Sequence, residues 1–369
     1  MQKCLLALTA GVGLTLASAA LAQPQYQIID LGLLDPGDAG SQGFGISDTG
    51  TYATGRSLGV SNAAFLWTSG SGTAALPNLS SRPFGVGNSV NNAGIVVGTG
   101  AQTFFGSGAV PLAWDNGVVT ELPLPAGRTV GRANDINNLG IAVGSAGGGS
   151  DEVAVVYDGM IGDVVTAVTT GGAAMTTAFA INDDNLVVGT GIDPGNVARN
   201  VGILYDFNSD LAVEVGVLPG DNGAILFDVS NTGTVVGSSS FNQAGGLPFY
   251  WTNAGGAVEI PLPANTSGGS ARGVNDSGMV VGNAGGTFAV PWLFDGTQTY
   301  ALEDLITNLG DWDLNMNTSS GADGISANGT IVGTGVLDGV PHAFVMVPVP
   351  EPAGLSLLAL AGVALRRRR

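Results

Sequence analysis

A nine-residue stretch that returns along the whole chain constrains the fold more than any other feature. It reads Val90-Asn91-Asn92-Ala93-Gly94-Ile95-Val96-Val97-Gly98 and recurs with its opening residue at Ile136, Ile181, Val229, Val274 and Ile325. A looser first copy opens at Ile46 and carries one extra residue, which makes seven. Successive openings lie 44, 46, 45, 48, 45 and 51 residues apart. That period belongs to a repeat protein of propeller type rather than to one irregular domain. Each copy reads as a hairpin. An apolar residue ends one strand, and Asn, Asp or Ser supplies the acceptor of an Asx-type turn. Gly takes the position that favours positive φ, and a β-branched run starts the next strand.

Four short strands fit into each period. In the second unit they fall at residues 82–90, 95–100, 110–114 and 118–124, and four strands in about 45 residues make one blade. The third strand repeats visibly, with an aromatic fourth position in six of seven units: Trp67, Trp114, Tyr157, Tyr205, Trp251 and Phe294. Side chains two apart share a face, so Phe65 with Trp67 and Phe249 with Trp251 are placed to press on a neighbouring blade. The seventh unit stops after its third strand at residues 342–347, while residues 25–32 form a strand with no hairpin partner before it. Supplying one to the other closes the ring and removes two free sheet edges. The chain is therefore expected to be all-β, a seven-bladed β-propeller of four-stranded blades over residues 23–347, closed by the N-terminal strand.

Composition agrees. With 61 Gly and only 11% charged residues the chain is poorly suited to long helices and well suited to short strands joined by tight turns. The ends read differently. Residues 1–22 have the positive start, apolar run and Ala20-Leu21-Ala22 pattern of a secretory signal peptide. Cys4, the only cysteine, lies within it, so disulfide and thiolate chemistry are excluded downstream. Residues 348–369 form a tail in which Pro350, Glu351 and Pro352 precede thirteen uncharged residues and then Arg366, Arg367, Arg368 and Arg369. Thirteen falls short of the roughly 20 that span a bilayer comfortably. With Lys3 and the four terminal arginines set aside, six arginines face nearly all of the 29 acidic residues. Such a surface repels phosphate backbones, so nucleic acid is not an expected partner.

The order of Pro-Glu-Pro, short apolar helix and arginine cluster resembles the PEP-CTERM sorting signal of Gram-negative, biofilm-forming bacteria. That resemblance implies an exosortase-type processing enzyme as partner for the tail. It also implies export with a transient inner-membrane stage through a transmembrane helix, then delivery to the cell surface or extracellular matrix. The repeat in turn resembles the HAF-repeat family of extracellular bacterial proteins. His342-Ala343-Phe344 matches the triplet that names the family, and Asp30-Leu31-Gly32 matches its closing strand. The other units depart at the histidine, with Pro111, Ala154, Gly202, Pro248 or Pro291 in its place. The resemblance implies a propeller-like fold and carries no activity with it.

Chemistry is sparse. His342 is the only histidine, which excludes a His-rich metal site and leaves one candidate for a triad base. No Walker loop, dinucleotide fingerprint or His-Glu-x-x-His helix occurs. Asp48, Asp135, Asp183, Asp184, Asp228, Asp276 and Asp323 fall at or beside the hairpins, where local turn bonding accounts for them. Glu121, Glu214, Glu259 and Glu303 take equivalent places in fourth strands, which speaks for shared structure. No cofactor is expected. Weak calcium binding is the one metal chemistry so many hard oxygens allow, although no Asp-x-Asp-x-Asp-Gly loop is present. The reading that follows is a non-enzymatic structural or interaction protein with no catalytic residues, its partners matrix polysaccharide or surface proteins. The alternative is a carbohydrate-binding or polysaccharide-processing propeller, with ligand contacts sought at Asp311, Trp312 and Asp313 in the insertion before the last hairpin.

Overall fold

A computed structural model describes residues 23–350, apart from 105, 160, 242–243, 286–288 and 316–319. The described residues form seven antiparallel sheets, six of them four strands in simple consecutive order. Blade 1 runs Gly40–Ile46, Tyr52–Leu58, Ala64–Thr68 and Gly72–Ala75. Blades 2 to 6 open with Phe84–Val90, Gly131–Ile136, Met175–Ile181, Gly223–Val229 and Gly269–Val274. Blade 7 has Gly321–Ile325, Ile331–Leu337 and Val340–Pro348 from the end of the chain, and takes its fourth strand, Tyr26–Asp30, from the start. Tyr26 pairs with Pro348 and Asp30 with Phe344, so the N-terminal strand closes a seven-bladed propeller. The segment after blade 6 clasps that strand from its other side. Asn308 exchanges two hydrogen bonds with Ile28, Oδ1 accepting from its N–H at 2.9 Å and Nδ2 donating to its carbonyl at 3.0 Å. His342 meets Asp30 across the same seam, Nδ1 to Oδ1 at 2.8 Å.

The seven hairpins share one turn. In six, a left-handed glycine sits at its fourth residue, from Gly50 at φ 70° to Gly140 at φ 85°; Asn185 at φ 64° takes that place in blade 4. The first turn residue is Ser47, Asn91, Asn137, Asn182, Ser230, Asn275 or Ser326, and all seven are buried. Its side-chain oxygen caps the turn from within. Asn137 Oδ1 accepts from the N–H groups of Leu139 and Ile141, and Ser230 Oγ accepts from that of Thr234. An isolated pair of strands would gain little from this, but here seven copies set the register of every blade.

Each innermost strand also carries a β-bulge three residues before its turn. At that place the ladder skips one residue in every blade, namely Phe44, Asn88, Asn134, Phe179, Phe227, Arg272 and Asp323. Opposite each bulge stands the glycine that ends the repeated stretch. A Cβ on Gly98 would lie 1.9 Å from the Val86 carbonyl oxygen, and one on Gly144 would lie 2.0 Å from that of Arg132. None of these seven glycines has a positive φ; they are glycine because the bulge brings two backbones into contact.

Apolar side chains fill the gaps between blades. Phe65 and Trp67 of blade 1 pack with Val332, Ala343 and Val345 of blade 7, and Phe249 of blade 5 packs with Val188 and Ala180 of blade 4. Truncating a buried ring of this kind costs about 3–5 kcal/mol. Two readings need correction. The fourth strand of blade 6 is only Thr299–Ala301 and passes into a 3-10 turn, Leu302–Leu305, so Glu303 lies outside any strand and accepts the N–H of Leu314. The described residues also supply no transmembrane helix for the expected membrane-anchored stage: no helix among them is long and apolar enough to cross a membrane. Every regular element there is a strand or a single 3-10 turn. Residues 1–22, Glu351, Pro352 and the four terminal arginines lie outside the described residues.

Candidate functional site

The innermost strands surround a central channel, with a cavity of about 200 Å³ between the hairpin turns and the bulges. A further opening of about 400 Å³ continues past the bulges toward Val86, Thr99 and Arg132. All seven bulge residues line the first space, and all but Phe44 line the second as well.

The turn end is closed by bonds that run from blade to blade. The second turn residue accepts the N–H of its counterpart in the preceding blade: Asn138 Oδ1 from Asn92, Asp183 Oδ1 from Asn138, Asn231 Oδ1 from Asp183 and Asp276 Oδ1 from Asn231. Asn138 also reaches two blades back and donates to Asp48 Oδ2 at 2.7 Å. The Asp48 carboxyl is raised above its usual range, chiefly by burial, against the pull of that hydrogen bond and with Asp183 and Asp276 repelling it.

Between turns and bulges stand Asp135 and Asp228, one residue past the bulge in blades 3 and 5. Both act as girders. Asp135 accepts from Ser89 Oγ at 2.6 Å and from the Ile181 N–H of blade 4 at 2.8 Å. Asp228 accepts from its neighbour Val229 and from the Val274 N–H of blade 6, each at 2.8 Å. Burial pushes Asp135 up to about 6. Burial, and then the nearby charge of Asp135, pushes Asp228 up to about 7. Their oxygens accept from backbone and hydroxyl donors of their own and the neighbouring blades.

The bulge ring differs from both. Asn88 and Asn134 give their amide N–H groups to Ala133 and Ala178 carbonyls in the next blade. Phe179 and Phe227 meet at 5.5 Å between centroids, and the Arg272 guanidinium lies over the Phe227 ring at 4.1 Å. Arg272 makes no hydrogen bond or ion pair to the described residues, and its Nε is buried without a partner. Asp323 stands on the next blade; burial raises its carboxyl to about 6 although the Arg272 charge opposes the shift, and it accepts no hydrogen bond among the described residues. Arg56 offers a contrast in a recess of about 290 Å³ between blades 1 and 2. There the guanidinium already donates to Gln42 Oε1 at 2.8 Å and is covered by Phe44 and Phe104.

The sequence-derived candidates fall elsewhere. Trp312–Asp313 forms a two-residue strand on the outer end of Ile331–Leu337, where Trp312 sets its ring edge-on to His342 and Phe344. Asp313 Oδ1 accepts the N–H of Asn315, and Asp311 is exposed. None of the three lines the channel. Pro350 is described and lies just past the last strand. No group of three or more acidic, His or Cys side chains suited to a metal occurs among the described residues. Asp135, Asp228 and Asp323, read as turn residues, bond across blades or face the channel. Their signal was the strand glycine opposite, which marks a bulge.

No protein-family model matches the chain, and no curated protein matches it in sequence. No family model therefore supports the HAF-repeat and PEP-CTERM labels, which rested on the recurring hairpin stretch, the His342-Ala343-Phe344 triplet, Asp30-Leu31-Gly32 and a tail of about twenty residues. Among solved structures, a streptogramin B lyase is similar at 13% identity and a TM-score of 0.53, covering 88% of this chain and 98% of that one. Virginiamycin B lyase from Staphylococcus aureus is similar at 11% identity and a TM-score of 0.53, over 88% of this chain and 100% of that one. At such identities the likeness shows a propeller fold, and function is argued from this chain's own channel.

Proposed function

We propose that the protein is a non-catalytic binding propeller that takes a small saccharide-type ligand in its central channel. One observation carries this reading: a single backbone geometry, the bulge, presents seven half-buried side chains of four chemical kinds around one cavity. A structural ring would be expected to repeat its residues, as the turns do. Aromatic faces, amides and a carboxyl around a small volume suit a ligand with apolar C–H faces and many hydroxyls. Binding without turnover fits the hydrogen-bonded oxygens of Asp135 and Asp228.

The test is a saccharide binding screen followed by product analysis. Binding should be lost with Phe179→Ala, be kept by Trp312→Ala, and yield no product. Loss with Trp312→Ala alone would move the ligand to the outer loop and overturn the channel reading. Saccharide release abolished by Asp323→Asn in a folded protein would overturn the non-catalytic one.

A further inference from the structure

We infer that the channel selects a saccharide bearing a carboxylate, a uronic acid, with Arg272 as the residue that reads the acid group. This rests on the saccharide-binding reading above and adds the ligand's charge. A guanidinium withdrawn from bulk water normally spends its donors on carboxylates or carbonyls, because leaving them unmade costs desolvation without return. Arg272 instead rests on the Phe227 ring, and its buried Nε has no partner. The stack fixes the direction in which the fork of N–H groups points, as bidentate recognition of a carboxylate requires. Asp323, one blade on, is close enough for the Arg272 charge to act on it yet forms no ion pair with it. The two groups are thus held apart, with the cavity shared between them. A uronic acid satisfies both, its carboxylate on Arg272 and a hydroxyl on Asp323.

The acidic lining opposes an anion, and that opposition is itself a signature. The groups facing Arg272 across the channel are Asp323 on blade 7, Asp228 on blade 5, Asp135 on blade 3, and Asp48, Asp183 and Asp276 at the turn end. Asp323, Asp135 and Asp228 take up protons between about pH 7 and pH 6, where a uronic acid, whose carboxyl resembles an α-carboxyl with a pKa of about 3.5, is still ionised. Affinity for uronate should therefore rise as pH falls from 8 to 5.5, and affinity for a neutral sugar should stay nearly level.

Isothermal titration with glucuronate and galacturonate against glucose and galactose tests this on the folded protein. A uronate is expected to bind at least about tenfold more tightly than its neutral counterpart, and Arg272→Gln to remove that advantage. Asp323→Asn, which removes a charge without shortening the side chain, should strengthen uronate binding at pH 8 and flatten the pH profile. Equal binding of neutral and acidic sugars, unchanged in Arg272→Gln, would overturn the carboxylate assignment and leave saccharide binding standing. Absence of binding by all four sugars would overturn both. Uronate binding that weakens as pH falls to 5.5, or that is indifferent to Asp323→Asn, would also count against the channel as its site.

Discussion

Two positions recur in all seven blades of this propeller, three residues apart on the same strand-and-turn unit, and they differ in what varies. At the first turn residue the side chain is always Asn or Ser, and its oxygen always caps the turn. At the bulge the backbone is constant and the side chain is not: three phenylalanines, two asparagines, one arginine and one aspartate. A repeat that keeps both geometry and chemistry is solving a folding problem. One that keeps geometry and varies chemistry has a surface to spend on a ligand.

The sharpest way to break this comparison is through its two glycines. Gly144→Ala drives a Cβ to 2.0 Å from the Arg132 carbonyl, where only backbone can yield, and should cost about 3–5 kcal/mol in a denaturant titration. Gly140→Ala, at φ 85° with open space around it, should cost about 1–2 kcal/mol. A reversal of that order would mean that the turn, not the bulge, defines the blade.

Next comes the turn amide. Asn137 caps its own turn and donates Nδ2 to the Asn182 carbonyl in blade 4 at 3.0 Å. Asn137→Ala should cost about 2–3 kcal/mol in the same titration, since four side-chain bonds go and buried N–H groups are left without partners. Asn137→Ser keeps the cap and loses only the bridge, so about 1 kcal/mol is expected. Blades 1, 5 and 7 already carry serine there and make no such bridge.

A weaker and more diffuse effect is pH dependence. Asp135, Asp228 and Asp323 have carboxyls raised above the unfolded value of 3.8, so the folded state holds more protons between about pH 4 and pH 7. Their contribution is complete below that window and is lost as pH rises through it. Asp38, Asp206 and Asp295 are lowered, so their stabilising effect is present above pH 3.8 and fades only as pH falls below it. The thermal midpoint should therefore be higher near pH 4.5 than near pH 8, and Asp228→Asn should shrink the difference. Smallest of all, Asp311→Ala on the exposed outer loop should shift stability by no more than about 0.5 kcal/mol in denaturation.

The architecture was legible because its cause is periodic. Asx residue, left-handed glycine and β-branched run stand in linear order, and the missing fourth strand of the last unit pointed to residues 25–32. The channel was not legible for the converse reason. Phe44, Asn88, Asn134, Phe179, Phe227, Arg272 and Asp323 share a place but no chemistry, so no pattern links them in a linear reading. Asp135 and Asp228 looked like turn residues because they stand just before the turns, and only the bulge explains why their carboxyls reach the next blade. Trp312 drew notice as an aromatic in a long insertion, yet its ring is spent on covering His342 and Phe344.

The seam of blade 7 also sets the order in which the molecule can assemble. Asp30 and His342 stand 312 positions apart in the chain, so the clasp that joins them is expected to form late, after the six other blades have brought the two segments within reach. Loop-closure entropy makes such a contact slow to form in an unorganised chain. Once formed, it converts a row of blades, each able to fray from an end, into a circle with no end to fray from. Loss of the Tyr26–Asp30 strand would therefore register as a change in cooperativity, one sharp transition giving way to a progressive, blade-by-blade melt.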